Sequence, residues 1–337
     1  MNSIQAISKT ELYNKGSISI TDGNWIYNIS LIDRLEDTPI EDKRIEIAVM
    51  YKGDRSIKRV PIKQPHIVLP NTKDYEISYS GMFMLCTKLV NIGPLRYWDI
   101  SNVSDMRFMF AGCISLKDIR PLRNWNISHV KRLDGMFMSC HRLSDLTALS
   151  NWDLSSCINC GAMFFHCLSL TTLNGLERWR MPNNDSTSCM FSNCYRLSDI
   201  SSVHDWDVSH IHCMSAMFEE CDIEDVSPLE NWFVTGPDVD MRSILSGNLR
   251  IFDIDNLSDW KWHVNTDAKH IFCGCYQLHN HPLILKWMID NPEWLTGYTV
   301  DEEDGTDEWI KERNKRRANY DPWRVCMRLY EASYFTW

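Results

Sequence analysis

One interval governs this chain. A Met–Phe pair falls at 82–83, 109–110, 136–137, 163–164, 190–191 and 217–218, each step being 27 residues. Weaker copies follow at Ile244–Leu245 and Ile271–Phe272. Three places past the aromatic come Cys86, Cys113, Cys140, Cys167, Cys194 and Cys221, then Asn248 and Cys275. Fifteen places past it stand Trp98, Trp125, Trp152, Trp179 and Trp206; Trp232 arrives one place early, and Trp260 is back in phase. A fixed period of roughly 20–50 residues marks a chain that stacks small units, none with enough core to fold alone. Phe110, Cys113, Trp125, Phe137, Cys140, Trp152, Phe164 and Cys167 are therefore predicted core positions of the stack.

Within one unit, Val103, Met106, Phe110 and Cys113 follow a three-and-four spacing, the apolar stripe of a helix. Ser101 precedes the stripe where a hydroxyl can cap free amides, and Ser128, Ser155 and Ser209 repeat it. Leu116, Ile119 and Leu122 are too few for a second helix and predict a short strand or extended segment. The expectation is an α/β leucine-rich-repeat solenoid of about eight 27-residue coils, each with a short strand and a helix, over residues 79–281. The fifth unit departs from the pattern: Pro182, Asn184 and Thr187 take the capping, Val and Met places and predict an irregular loop.

The stretch "YWDISNVSDMRFMFAGCISL" resembles the BspA-type leucine-rich-repeat family, whose units read much like "NWDISxVxxMxxMFxxCxxLxxLxxL". That resemblance covers roughly 79–281. It implies a curved α/β solenoid used for interaction, with no catalytic residues to carry over. Many members of that family are surface proteins with export signals.

The two ends carry no repeat. Residues 1–78 hold short β-branched and aromatic runs, "GSISI", "WIYNISLI", "RIEIAVMY", "IKRVPI" and "HIVLP", set apart by turn and charge clusters. They predict a small β module covering the first coil, because an open end exposes apolar core. Residues 282–337 read as a helical cap or docking segment, with acidic "DEEDGTDE" before basic "KERNKRR" and an aromatic "YFTW" tail.

Charge narrows the function. The net charge is −10 over 337 residues, which disfavours nucleic acid because phosphate contacts need a basic surface. No stretch approaches the ~18 apolar residues of a membrane span, and the first residues lack the basic start and apolar core of a secretory signal. Thirteen cysteines is an odd count that excludes complete internal pairing, and a reducing intracellular setting is the simpler expectation. A virion, or a cell surface after loss of a signal, are the alternatives.

At each reactive-looking place packing competes with chemistry. Cysteines in one phase of a stack point the same way and serve as small apolar residues with a weak donor. Cys157 and Cys160 form C-x-x-C but occupy the Val and Met core slots. The weak zinc candidate is "HIFCGCYQLHNH", with His270, Cys273, Cys275 and His279, and with His281 beside them. Asp118, Asp145, Asp199, Asp225 and Asp253 form an acidic column, matched by Asp99, Asn126, Asp153 and Asp207 after each Trp. Asp and Asn in tight turns bond their own backbone. The first column is also a candidate protein-binding strip.

No phosphate loop, serine elbow or helical zinc-protease motif is present, so no catalytic residue and no cofactor is expected. The first expectation is a non-enzymatic scaffold that binds one or more protein partners. The second is a structural subunit of a larger assembly, such as a minor component of a large DNA virus particle, touching neighbouring subunits. The third is a cell-surface adhesin.

Overall fold

A computed structural model gives the architecture. The structure describes residues 9–15, 17–32, 44–62, 64–65, 75–232, 238–260, 265–278, 281–290, 311, 315, 321 and 324–328. The "HIVLP" run and His279 lie outside these.

The N-terminal runs become a sheet because apolar and polar residues alternate with period two. Helix α1 (Lys9–Lys15) precedes β1 (Ser17–Asp22), β2 (Trp25–Ile32) and β3 (Arg44–Tyr51), which pair antiparallel. Trp25, Tyr27, Ile29, Ile45, Ile47 and Val49 all turn inward and are buried. Strand β4 (Tyr75–Ser78) then pairs parallel to β3, and β5 (Val103–Asp105) parallel to β4, so one mixed five-stranded sheet runs into the first repeats. "IKRVPI" forms no strand; it contributes one bridge, Arg59 to Asn91.

Beyond β5 the parallel pairing thins to isolated bridges at one place in the period, Asp105–Arg132, Arg132–Asn159, Asn159–Ser186, Ser186–Cys213, Cys213–Asp240 and Asp240–Asp267, with one more at Thr172–Asp199. The cause is local. Where the side chain at this position is an acceptor it takes the N–H two residues on, as in Asp105–Arg107 (2.9 Å), Asn159–Gly161 (2.8 Å) and Asp240–Arg242 (3.0 Å), and turns the chain at once.

The expected α/β leucine-rich-repeat solenoid, with a strand and a helix in every coil, is overturned. Among the described residues, α-helix is confined to α1, α2 (Pro282–Asp290) and residues 311, 315 and 324–328, and none of these lies in a repeat. The Met–Phe segment is a run of overlapping turns. Met136, Met138 and Cys140 donate three residues back, to Leu133, Gly135 and Phe137. The residues between them donate outward: Gly135 to Gly161, Phe137 to Met163 and Ser139 to Phe165. A helix needs bonds four residues back and negative φ throughout. Here Gly135 (φ 63°) and Ser139 (φ 56°) are left-handed, as are Phe108 with Gly112 and Ala162 with His166. The three-and-four apolar spacing is produced by turns that each send one side chain inward.

The capping expectation fails for the same reason. No helix follows Ser101; its N–H instead donates to Asp99 Oδ1 at 2.9 Å, as Ser128, Ser155 and Ser209 do to Asn126, Asp153 and Asp207. The predicted strand at Leu116–Leu122 is a single 3-10 turn, Arg120–Leu122, recurring at Thr147–Leu149, Ser201–Val203 and Ser227–Leu229. The fifth repeat keeps register: Asn184 and Thr187 stay buried in core slots, and Ser186 bridges both neighbours.

Numbering the repeats from Phe83, side chains of one phase stack in columns. Phe83, Phe110, Phe137, Phe164, Phe191 and Phe218 lie with ring centroids 5.6–5.8 Å apart and planes within 13°. From the second repeat on, the indole N–H donates to a carbonyl of the preceding repeat, Trp125 to Leu95 (2.9 Å), Trp152 to Leu122 (3.3 Å) and Trp179 to Leu149 (3.0 Å), while that of Trp98 in the first repeat is buried without a partner. The slip at Trp232 is absorbed there, since Trp232 reaches Val203 and Trp260 reaches Leu229.

The first repeat has no predecessor, and the N-terminal residues supply what one would give. Arg55 donates to the carbonyls of Met82 (3.0 Å) and Met84 (3.1 Å), the places that Phe83 and Leu85 serve in the next layer at Met109 and Ala111. Trp25 sits edge-on to Trp98 at 5.6 Å. At the other end, Ile284 and Trp287 of α2 are buried, with Trp287 stacked on Phe272 at 6.1 Å. Residues 324–328 do not extend this cap. They return to the early repeats, where Cys326 is buried with Met84, Phe108, Ala111 and Met138.

Candidate interaction surface

The repeat consumes its own reactive groups. Cys113, Cys140, Cys167, Cys194 and Cys221 point their thiols at the carbonyls of Phe83, Phe110, Phe137, Phe164 and Phe191, 3.2–3.4 Å away, and Cys275 points at Leu245. Burial pushes the thiol of Cys194 up to about 12, and it raises those of Cys113, Cys140, Cys167 and Cys221 well above the ordinary thiol value. A thiol so protonated is neither nucleophile nor ligand. Cys157 and Cys160 lie 3.1 Å apart in the core; the contact with Cys157 and then burial raise the Cys160 thiol.

The zinc candidates are not brought together. Cys275 faces the core, Cys273 is half-buried and His270 is an exposed left-handed residue. What converges instead is His281 with Asp253 and Asp255, Nε2 lying 3.5 Å from a carboxylate oxygen of each. His281 Nδ1 accepts the N–H of Leu283 in α2 at 3.3 Å. The Ile254 N–H reaches Nε2 at 3.5 Å, so the ring ties α2 to the seventh repeat.

Two polar groupings were not foreseen. His166 Nδ1 lies 3.2 Å from His141 Nε2, one repeat apart, with Tyr195 edge-on to His166; burial lowers the pKa of His141. His141 and His166 stand four and two places past the Phe of their repeats, so the 27-residue beat does not pair them. Where the sheet meets the repeats, Arg107 clasps Asp105 (2.7 Å), Arg132 approaches Asp134 (3.3 Å) and Lys131 meets Glu76 (2.9 Å). Burial raises Asp134 to about 6 and also raises Glu46, both effects compounded by Asp105. Only the sheet register brings Glu46 and Glu76 side by side.

What remains outward is a strip that follows the cysteine of each repeat. Leu116, Ile119 and Leu122 are buried, while Lys117 and Arg120 point to solvent beside half-exposed Asp118. The acidic column exists, and each member has a turn to hold: Asp118, Asp145, Asp199, Asp225 and Asp253 accept the N–H of Arg120, Thr147, Ser201, Ser227 and Asp255 at 2.8–3.0 Å. Arg120 keeps Asp118 below the usual carboxylate range, and Thr147 does so for Asp145. One oxygen of each carboxylate serves the turn, and the charge stays at the surface.

The strip is sorted by sign. In repeats one to three it carries Lys88, Arg96, Lys117, Arg120, Arg123 and Arg142 against Asp118 and Asp145. Repeat four has Glu177 and Arg178. Repeats five to seven carry Asp199, Asp205, Asp222, Glu224, Asp225, Glu230, Asp253, Asp255 and Asp259 against Arg196 and Arg250. A groove of about 470 Å³ lies at the basic end, lined by Val90, Lys117, Arg120 and Arg142.

No helix among the described residues is long and apolar enough to cross a membrane. No curated protein and no solved structure matches the chain. One family does, described as Mycoplasma protein of unknown function, DUF285, over residues 77–202 and 187–298. Those residues make up more than half of the 337, and they are the same ones that carry the Met–Phe, Cys and Trp columns; the chain belongs to the DUF285 family.

Proposed function

We propose that this chain is a non-enzymatic protein–protein interaction scaffold whose binding face is the charged strip. One observation supports this most. The cysteine and tryptophan columns spend their polar groups on backbone carbonyls, and the charges left at the surface are ordered by position along the stack. Ordered exposed charge favours recognition and orientation of a partner over fold stability. The kinship with BspA-type repeat proteins suggested by the Trp-Asp-Ile-Ser and Met-Phe-x-x-Cys motifs belongs to this reading. So does a reducing compartment, since all thirteen cysteines are free thiols.

Affinity capture tests it, with the native chain set against a variant carrying Glu224→Lys, Glu230→Lys and Asp259→Lys. The expected result is a partner retained by the native chain and lost by the variant. Identical partner sets from both would refute the strip as the binding face. Thiol counting on native material tests the compartment: oxidation of most cysteines would contradict it.

A further inference from the structure

The strip's charge order also says what fits it. Taking that strip as the binding face, we propose that its partner is a second copy of this chain, paired antiparallel about a two-fold axis through the fourth repeat.

The basic block occupies repeats one to three and the acidic block five to seven, with the balanced pair Glu177 and Arg178 between them. Two copies laid side by side in the same direction set base against base and acid against acid. Rotation by half a turn about repeat four sets each basic block on the other copy's acidic block. Such a contact is self-complementary and closes as a pair.

Part of the charge is already spent within the chain: Arg120 pairs with Asp118, Arg250 with Asp222 and Glu224, and His204 with Asp205 and Glu230. Lys88, Lys117 and Arg142 have no ion-pair partner among the described residues, nor do Asp199, Asp225 and Asp259, so both blocks keep charge to offer. One pair of exposed apolar side chains fits the same symmetry. Val90 (48% exposed) and Phe252 (56% exposed) occupy one column, three repeats to either side of the axis. An axis on that column brings Val90 of one copy towards Phe252 of the other. With repeats about 4.8 Å apart, the seven-repeat strip is roughly 30 Å long, the scale of an ordinary protein–protein contact.

The test is sedimentation of the full chain at roughly 0.1 mM, where micromolar contacts are populated. The expected result is a dimer at low salt that weakens at least about tenfold between about 50 and 500 mM salt, because exposed charges are screened. Two variants avoid the aspartates that hold turns: Lys88→Glu with Lys117→Glu and Arg142→Glu, and Glu224→Lys with Glu230→Lys and Asp259→Lys. Each alone is expected to be monomeric with an unchanged circular dichroism spectrum. Mixed, they are expected to form a one-to-one heterodimer, since one strip then carries mostly acids and the other more bases than acids. A monomeric native chain at low salt, a dimer indifferent to both variants, or a mixture that stays monomeric would each overturn the pairing. A native monomer that still captures a partner through its acidic end would leave the scaffold reading standing without self-association.

Discussion

The side-chain amide of Asn248 donates to the carbonyl of Phe218 at 2.8 Å, making the bond that a cysteine thiol makes in the neighbouring repeats. It also donates to Leu245 and accepts the N–H of Ile223. The cysteine column is therefore a column of small hydrogen-bond donors, and the seventh repeat substitutes another.

Asn248→Ala is expected to cost about 3 kcal/mol, because it leaves a buried N–H and a carbonyl without their partner. Asn248→Cys recovers the carbonyl bond and should cost about half as much. Cys194→Ala should cost only about 1 kcal/mol, since Phe164 O still accepts the N–H of Cys167. Urea unfolding orders the three, and equal losses for both Asn248 variants would contradict the donor role.

Phe137 is sandwiched between Phe110 and Phe164, both at 5.7 Å, and is fully buried. Phe137→Ala should destabilise by about 3–5 kcal/mol, opening a cavity between rigid neighbours. A denaturant midpoint shift worth less than about 1 kcal/mol would be inconsistent with the stack.

Asp134 gives stability an unusual pH dependence. Its folded pKa, about 6, lies above the unfolded value, so the folded state holds the proton more tightly. Its contribution is fully present below about pH 4 and is lost as pH rises through about 6, up to roughly 3 kcal/mol. Raised Glu46 acts in the same sense. Asp118, Asp145 and Asp207, with lowered pKa values, act oppositely and lose stability as pH falls below about 4. Thermal unfolding from pH 4 to 7 should show a decline that Asp134→Asn reduces, Glu46 accounting for the rest; an unchanged slope would count against the assignment.

Alkylation of native protein at neutral pH should modify half-buried Cys213 and Cys273 first. Cys189 is slower, its thiol raised to about 12 by burial and then Glu219. Mass mapping that found Cys140 or Cys167 modified before unfolding would contradict their buried, protonated state.

The columns were legible in the chain alone. A 27-residue beat of Phe, Cys and Trp required those residues to share an environment, and a repeated Asp or Asn two places before a turn residue foretold its bond to the backbone. The three-and-four spacing misled, because a helix and a run of turns both send every third or fourth side chain inward. They differ in where the alternate N–H groups go, and that choice depends on carbonyls 26 residues away, as between Phe137 and Met163.

The sequence by itself thus determined the period, the buried columns and the turn aspartates, because each follows from side-chain chemistry repeated in register. The tertiary structure alone decided that no helix forms in a repeat, that Arg55 completes the first layer, and that Cys326 returns to the early repeats. It also gathered Glu46, Glu76, Asp105 and Asp134 at one junction. These are contacts between residues distant in the chain and outside the period, where no local pattern of hydrophobicity or spacing carries the information.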